Sequence, residues 1–161
     1  MADNAALRAA HRAAADRGRR AAETVGARPT KVTVRVRTYS APVGTSTATV
    51  SSTTNTPVDP RPRVRQLSQT EASFYGGGLL AAGTGRSVAA YYAVGPMTLD
   101  YAVGGYAVSD LLPSGATTKR VTLVLEGDEF AAGGEEMHVV NVDATRPHQV
   151  NLVVSRTRQG T

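Results

Sequence analysis

From Lys31 to Tyr39, valines alternate with polar residues: Val32, Val34 and Val36 fall on one side, Thr33, Arg35 and Arg37 on the other. A period of two predicts a half-buried β-strand with one apolar and one basic face. Three more segments near the end read the same way: 120–125, 136–142 and 149–158. Short turns at 127–134 and 143–147 separate them, which predicts an antiparallel meander. Between these regions lies residues 92–113, YAVGPMTLDYAVGGYAVSDLLP. Its Tyr- and Val-rich runs at 91–94, 97–103 and 106–108 suit pleated surfaces, and Gly-Pro and Gly-Gly pairs divide them. About six strands result, which suits a small antiparallel β-barrel or sandwich.

Two stretches carry a different pattern. Residues 2–24 are dominated by alanine, with Arg, Leu, Glu and Asp between, and predict an N-terminal α-helix. Asp3 or Asn4 suits its cap, while Gly26 and Pro29 suit its stop. Its apolar face is nearly all alanine apart from Leu7 and Val25, so it buries little area. Helix stability comes mostly from packing an apolar face, and this helix is expected to be ordered against a partner. Residues 66–74 predict a short helix begun at Ser68, with Glu71 at capping-box spacing.

Residues 40–63 crowd Ser and Thr together, with Pro42, Pro57, Pro60 and Pro62 around them. Proline donates no ladder bond, so 57–62 is not a central strand. The segment reads as an extended hairpin or long loop, with 45–54 able to pair as a strand. Arg61, Arg63 and Arg65 then alternate with Pro62 and Val64, and predict a small cationic ridge. The domain organisation is an arm over 1–28, a β domain over 29–158 holding the 40–63 loop, and a tail at 159–161.

Charge sharpens this picture. The net charge of +5 hides a division: residues 1–65 carry 12 basic and 4 acidic side chains, and residues 66–145 carry 3 basic and 9 acidic. Such asymmetry predicts that different ends meet different neighbours. The candidate DNA-facing or channel-loop cations are Arg35, Arg37, Arg61, Arg63 and Arg65. The candidate partner-docking residues are Leu7, Arg8, Arg12, Arg19 and Arg20. Non-specific contact with a nucleic-acid backbone fits these cations. Aromatic platforms do not alternate with them, so base reading is not expected.

Candidate chemistry is sparse. The chain has no cysteine, which removes disulfides, thiol catalysis and zinc-thiolate sites. His11, His138 and His148 form no ligand motif with the acids around them. The segment Gly83-Thr84-Gly85-Arg86-Ser87 approaches the end of a phosphate loop. It has Leu80 where the first glycine belongs and Arg86 where the lysine belongs. No nucleophile elbow occurs, and the acids at Asp110, Glu126, Asp128 and Glu129 read as a solvated face. The expectation is a non-enzymatic protein without a cofactor. No run of 18 apolar residues exists and no apolar leader opens the chain, so neither a membrane span nor a secretory signal is expected.

From residue 87 to 158 the order of features resembles head-tail connector proteins of tailed bacteriophages, especially the head-closure or stopper class. The residues that carry the resemblance are Tyr92-Ala93-Val94-Gly95-Pro96, Gly104-Gly105-Tyr106 and Asp110-Leu111-Leu112-Pro113. After these come Leu125-Glu126-Gly127, Gly133-Gly134 leading into 137–142, Arg146-Pro147 and 152–158. The pattern covers less than half of the chain and contains no diagnostic motif. It implies a β-barrel subunit of a homo-oligomeric ring, of six or twelve copies, in the virion neck. It also implies portal, adaptor and tail proteins as partners, assembly in the host cytoplasm, and a channel-closing loop, for which 42–62 is the candidate. The long N-terminal helix departs from the shortest members, and leaves open an adaptor or tail-terminator position. A decoration or minor tail protein, and a free nucleic-acid-binding module, are the alternatives.

Overall fold

Val32, Val34 and Val36 are buried, while Thr33, Arg35 and Arg37 between them stay partly exposed. The period-two reading of strand β1 (Lys31–Tyr39) therefore holds residue by residue. The computed structural model of the chain describes residues 3–24, 30–75, 91–146 and 149–156. Along it run α1 (Asp3–Thr24), β1, β2 (Val50–Pro57), β3 (Val64–Gln66) and α2 (Gln69–Ser73). These are followed by β4 (Tyr91–Met97), α3 (Tyr101–Gly104), α4 (Val108–Leu111), β5 (Lys119–Glu126), β6 (Glu135–Arg146) and β7 (Gln149–Ser155).

The strands form one seven-stranded sheet in the order β2-β1-β5-β6-β7-β4-β3, and every pairing is antiparallel. The expected meander is β5-β6-β7. Among the described residues the sheet is not closed, since β2 and β3 are its edges. Val32, Val34 and Val36 of β1 share one apolar cluster with Val121, Leu123 and Leu125 of β5, Met137 of β6, Val150, Leu152 and Val154 of β7, and Tyr92 and Val94 of β4. The sheet therefore wraps its inner face around a common core, as barrels and sandwiches do. The link from β2 to β3 spans its two edges. There the Val58 N–H donates to the Val32 carbonyl, and Val58 and Pro60 are buried.

A bulge tunes β6. Val139 faces Val154 and Asn141 faces Val153, so Val140 is the extra residue. Val139 and Val142 then both pack on the inner core, three positions apart, while Val140 turns to the outer face. A strict period of two cannot do this; an inserted residue can. The outer face has its own small cluster, in which Ala72 of α2, Tyr91 and Val153 are joined by Leu67, Tyr75 and Val140.

The predicted α1 and α2 are present. The Ser68 hydroxyl accepts from the Glu71 N–H at 3.2 Å, and the Glu71 carboxylate accepts from the Ser68 N–H at 2.9 Å, completing the capping box. The 40–63 stretch is a hairpin arm: ten residues, 40–49, join β1 to β2, and Pro57 ends an edge strand.

One expectation is corrected. The runs 97–103 and 106–108 are not strands; β4 stops at Met97 and two single helical turns, α3 and α4, follow. The Gly104 N–H donates to the Asp100 carbonyl and the Gly105 N–H to that of Tyr101. The ring of Tyr106 folds back over Gly104, where a Cβ would lie 2.0 Å from ring carbon Cε1. Tyr101, Tyr106 and Leu111 thereby turn into the core, and burial overrides the β preference of Tyr and Val. The helix stop at Gly26 and Pro29, the 83–87 glycine segment, Pro147, His148 and Arg158 lie outside the described residues.

Candidate functional site

On the outer face of β1, Arg35 and Arg37 close on one carboxylate. Arg37 Nη2 donates to Glu136 Oε2 at 2.9 Å, its Nη1 donates to Oε1, and Arg35 Nη1 reaches Oε2 at 3.1 Å. The Thr122 hydroxyl adds a bond at 2.8 Å to Glu136 Oε1, and Arg35 Nε donates to Asn55 Oδ1 at 2.9 Å. The three charged side chains are only 25–28% exposed. The bonds from Arg37 hold the Glu136 carboxyl down to about 2, against a smaller opposing effect of desolvation, and Arg37 itself is raised. Beside this clamp, Arg120 stands opposite Arg37 in the register, 5.8 Å over the ring of Tyr39. Two of the five expected DNA-facing arginines are therefore anchored sideways in a network that spans β2, β1, β5 and β6.

Of the other three, Arg65 lies on β3, five strands from β1 in the sheet order, and Arg61 and Arg63 lie in the link that leads to it. Pro60 and Pro62 are buried and Val64 is half-buried, while Arg61, Arg63 and Arg65 are exposed, so the expected ridge alternation is present. Arg65 is engaged: its Nη1 and Nη2 reach the Glu71 oxygens at 2.9 and 3.0 Å. That pair, with the Ser68 N–H, lowers the Glu71 carboxyl to about 2.

The candidate docking residues lie on α1. Leu7 is 54% exposed, and Arg8 and Arg12 are exposed. The helix meets the β domain through polar contacts. The Thr98 hydroxyl donates to Asp16 Oδ1 at 3.0 Å, and Arg20 makes a two-pronged pair with Asp59 at 3.0 and 3.1 Å. The structure thus separates Arg20, which tethers the arm, from Leu7, Arg8 and Arg12, which face outward; Arg19 lies on the same helix.

An open cleft of about 330 Å³ lies on the outer face between α2 and strands β4, β6 and β7. Arg65, Glu71, Phe74, Asn141, Asp143 and Asn151 are among its walls, and Phe74 is 83% exposed. Glu71 is fixed as an anion by Arg65, so it has no proton to give near neutral pH. No group of three or more potential metal ligands occurs among the described residues, and no described helix is long and apolar enough to cross a membrane.

Sequence reasoning missed Glu136 and Glu71 as the partners of the arginines. Glu71 was visible as a cap. Glu136 required the β1–β5–β6 register, a long-range fact that no local pattern encodes. The fold defines the class, a mainly β chain with one antiparallel sheet and an N-terminal helix. No family model, curated protein or solved structure matches the chain.

Proposed function

We propose that the chain is a structural assembly subunit, without enzymatic activity, in the neck of a tailed bacteriophage. In this reading it joins the portal-adaptor complex of the head to the tail as a ring of identical copies. The observation that carries the reading is the arm. Positions 5–14 of α1 are all exposed, so this part of the helix buries little on its own domain, while Asp16 and Arg20 further along tie the helix to it. A helix of that kind gains its stability from a neighbour. Head-to-tail contacts between copies close into rings when the rotation permits, and the order of features in the sequence from 87 to 158 resembles the head-closure class.

The test is reconstitution. Full-length chain is mixed with isolated portal-adaptor complex and imaged by electron microscopy. Added density as a ring at the adaptor end supports the proposal, and absence of binding to any head or tail part overturns it. The second reading, a non-specific nucleic-acid module, draws on the exposed Arg61 and Arg63; a tail-terminator or decoration role shares the physics of the first.

A further inference from the structure

Among the described residues, β2 has a strand neighbour on one side only. The direction of its main-chain groups follows from three bonds. The Tyr39 N–H donates to Thr118, on the β5 side, whereas the Val58 N–H donates to Val32 and the Ser40 N–H to Thr49. Even-numbered residues of β1 therefore face β2, and with Val36 opposite Thr54 and Val34 opposite Thr56, Thr54 and Thr56 bond inward. Thr53, Asn55 and Pro57 direct their main-chain groups outward. The missing N–H of Pro57 costs no ladder bond, as expected at an edge.

Among the described residues this edge carries little defence beyond Pro57 at one end and a bulge at Tyr39 and Val50 at the other. Edge strands are normally blunted by charge, proline, shortness or a covering element. Residues 50–55 are all exposed, even Ser52 and Thr54, which share a side with the buried Val36. From 40 to 58 the chain has no charged residue. The opposite edge is defended in every respect: β3 has three residues, Pro60 and Pro62 precede it, Arg65 is locked to Glu71, and α2 follows.

We propose that β2 pairs antiparallel with β2 of a second copy about a two-fold axis. A neutral strand meets its own copy without like-charge repulsion, and Thr and Ser make favourable cross-strand hydrogen-bonded pairs. Because β3 is blocked, the sheet extends at one edge only, so the contact closes at two copies instead of propagating. A phosphate backbone would find no cation on this strand. The pair is the state of the free chain, and it does not depend on the neck reading.

Sedimentation velocity of the full chain over a micromolar to submillimolar series tests it. The wild type is expected to be a concentration-dependent dimer. Thr53→Pro removes an outward N–H and Thr53→Lys places a charge on each side of the axis, and both are expected to be monomers with unchanged circular dichroism. Should the proline variant unfold, the lysine variant still decides, since its side chain sits on an exposed position. The chain lacks cysteine, so Thr53→Cys and Asn55→Cys give a disulfide-linked dimer where like positions meet. A wild type that is monomeric throughout, an assembly that survives Thr53→Lys, or no disulfide from either cysteine variant overturns the proposal.

Discussion

Glu136 shows how one acid decides the character of a basic face. It neutralises part of the charge of Arg35 and Arg37 and ties β6 to β1 across β5. Its carboxyl is depressed to about 2 in the fold, below the usual carboxylate range. The ionised clamp therefore contributes stability above the ordinary carboxylate value, and that contribution is lost as pH falls towards 2. Glu136→Gln is expected to destabilise the protein by about 1–2 kcal/mol near neutral pH, a value discounted for partial exposure. Urea unfolding curves of the two proteins should converge as the pH approaches 2. A gap that persists at low pH would mean that packing, not charge, sets the effect. Tyr101 makes the opposite case. Its hydroxyl is buried without a hydrogen-bond partner among the described residues. Removing it should relieve a desolvation cost, so Tyr101→Phe is expected to raise stability by about 0.5–1 kcal/mol in thermal melts.

At the scale of elements, Gly95 shapes the end of β4. Its φ of +140° and the closeness of Asn151 Oδ1, at 2.7 Å from a built Cβ, leave no room for a side chain. Gly95→Ala should cost about 2–3 kcal/mol, read as a lowered midpoint in denaturant. Elements with a strong local pattern were legible in the sequence. The β1 alternation, the Ser68–Glu71 box and the alanine helix each state their structure within a few residues. Segments 97–103 and 106–108 were not legible, because Tyr101, Tyr106 and Leu111 answer to a core assembled from distant strands. The same holds for the β6 bulge and for the cleft beside α2, whose walls come from four separate stretches of chain. The arginines of the candidate site were readable as cations; their carboxylate partners depended on strand register.

For the whole molecule, the arm meets the β domain through Asp16 and Arg20. Positions 5–14 bury little, so deleting residues 1–24 is expected to leave the β signal in circular dichroism intact and, in the proposed neck role, to impair assembly. A truncated chain that loses its β signal would show the arm to be part of the core. Binding to duplex DNA is a second whole-molecule measurement. If Arg61 and Arg63 grip a phosphate backbone, log affinity should fall with log salt at a slope near −0.9 per contact. Arg61→Ala with Arg63→Ala should reduce that slope by about two contacts. Salt-insensitive or undetectable binding removes the nucleic-acid reading.

Strand β1 enters the sheet directly after the arm and lies between β2 and β5. Tension arriving through the N-terminus is thus delivered along a strand that is held on both flanks. Two ladders must slip together before it yields, whereas an outermost strand would peel away one residue at a time. A body pulled by that end would therefore resist extension better than one pulled through β2 or β3.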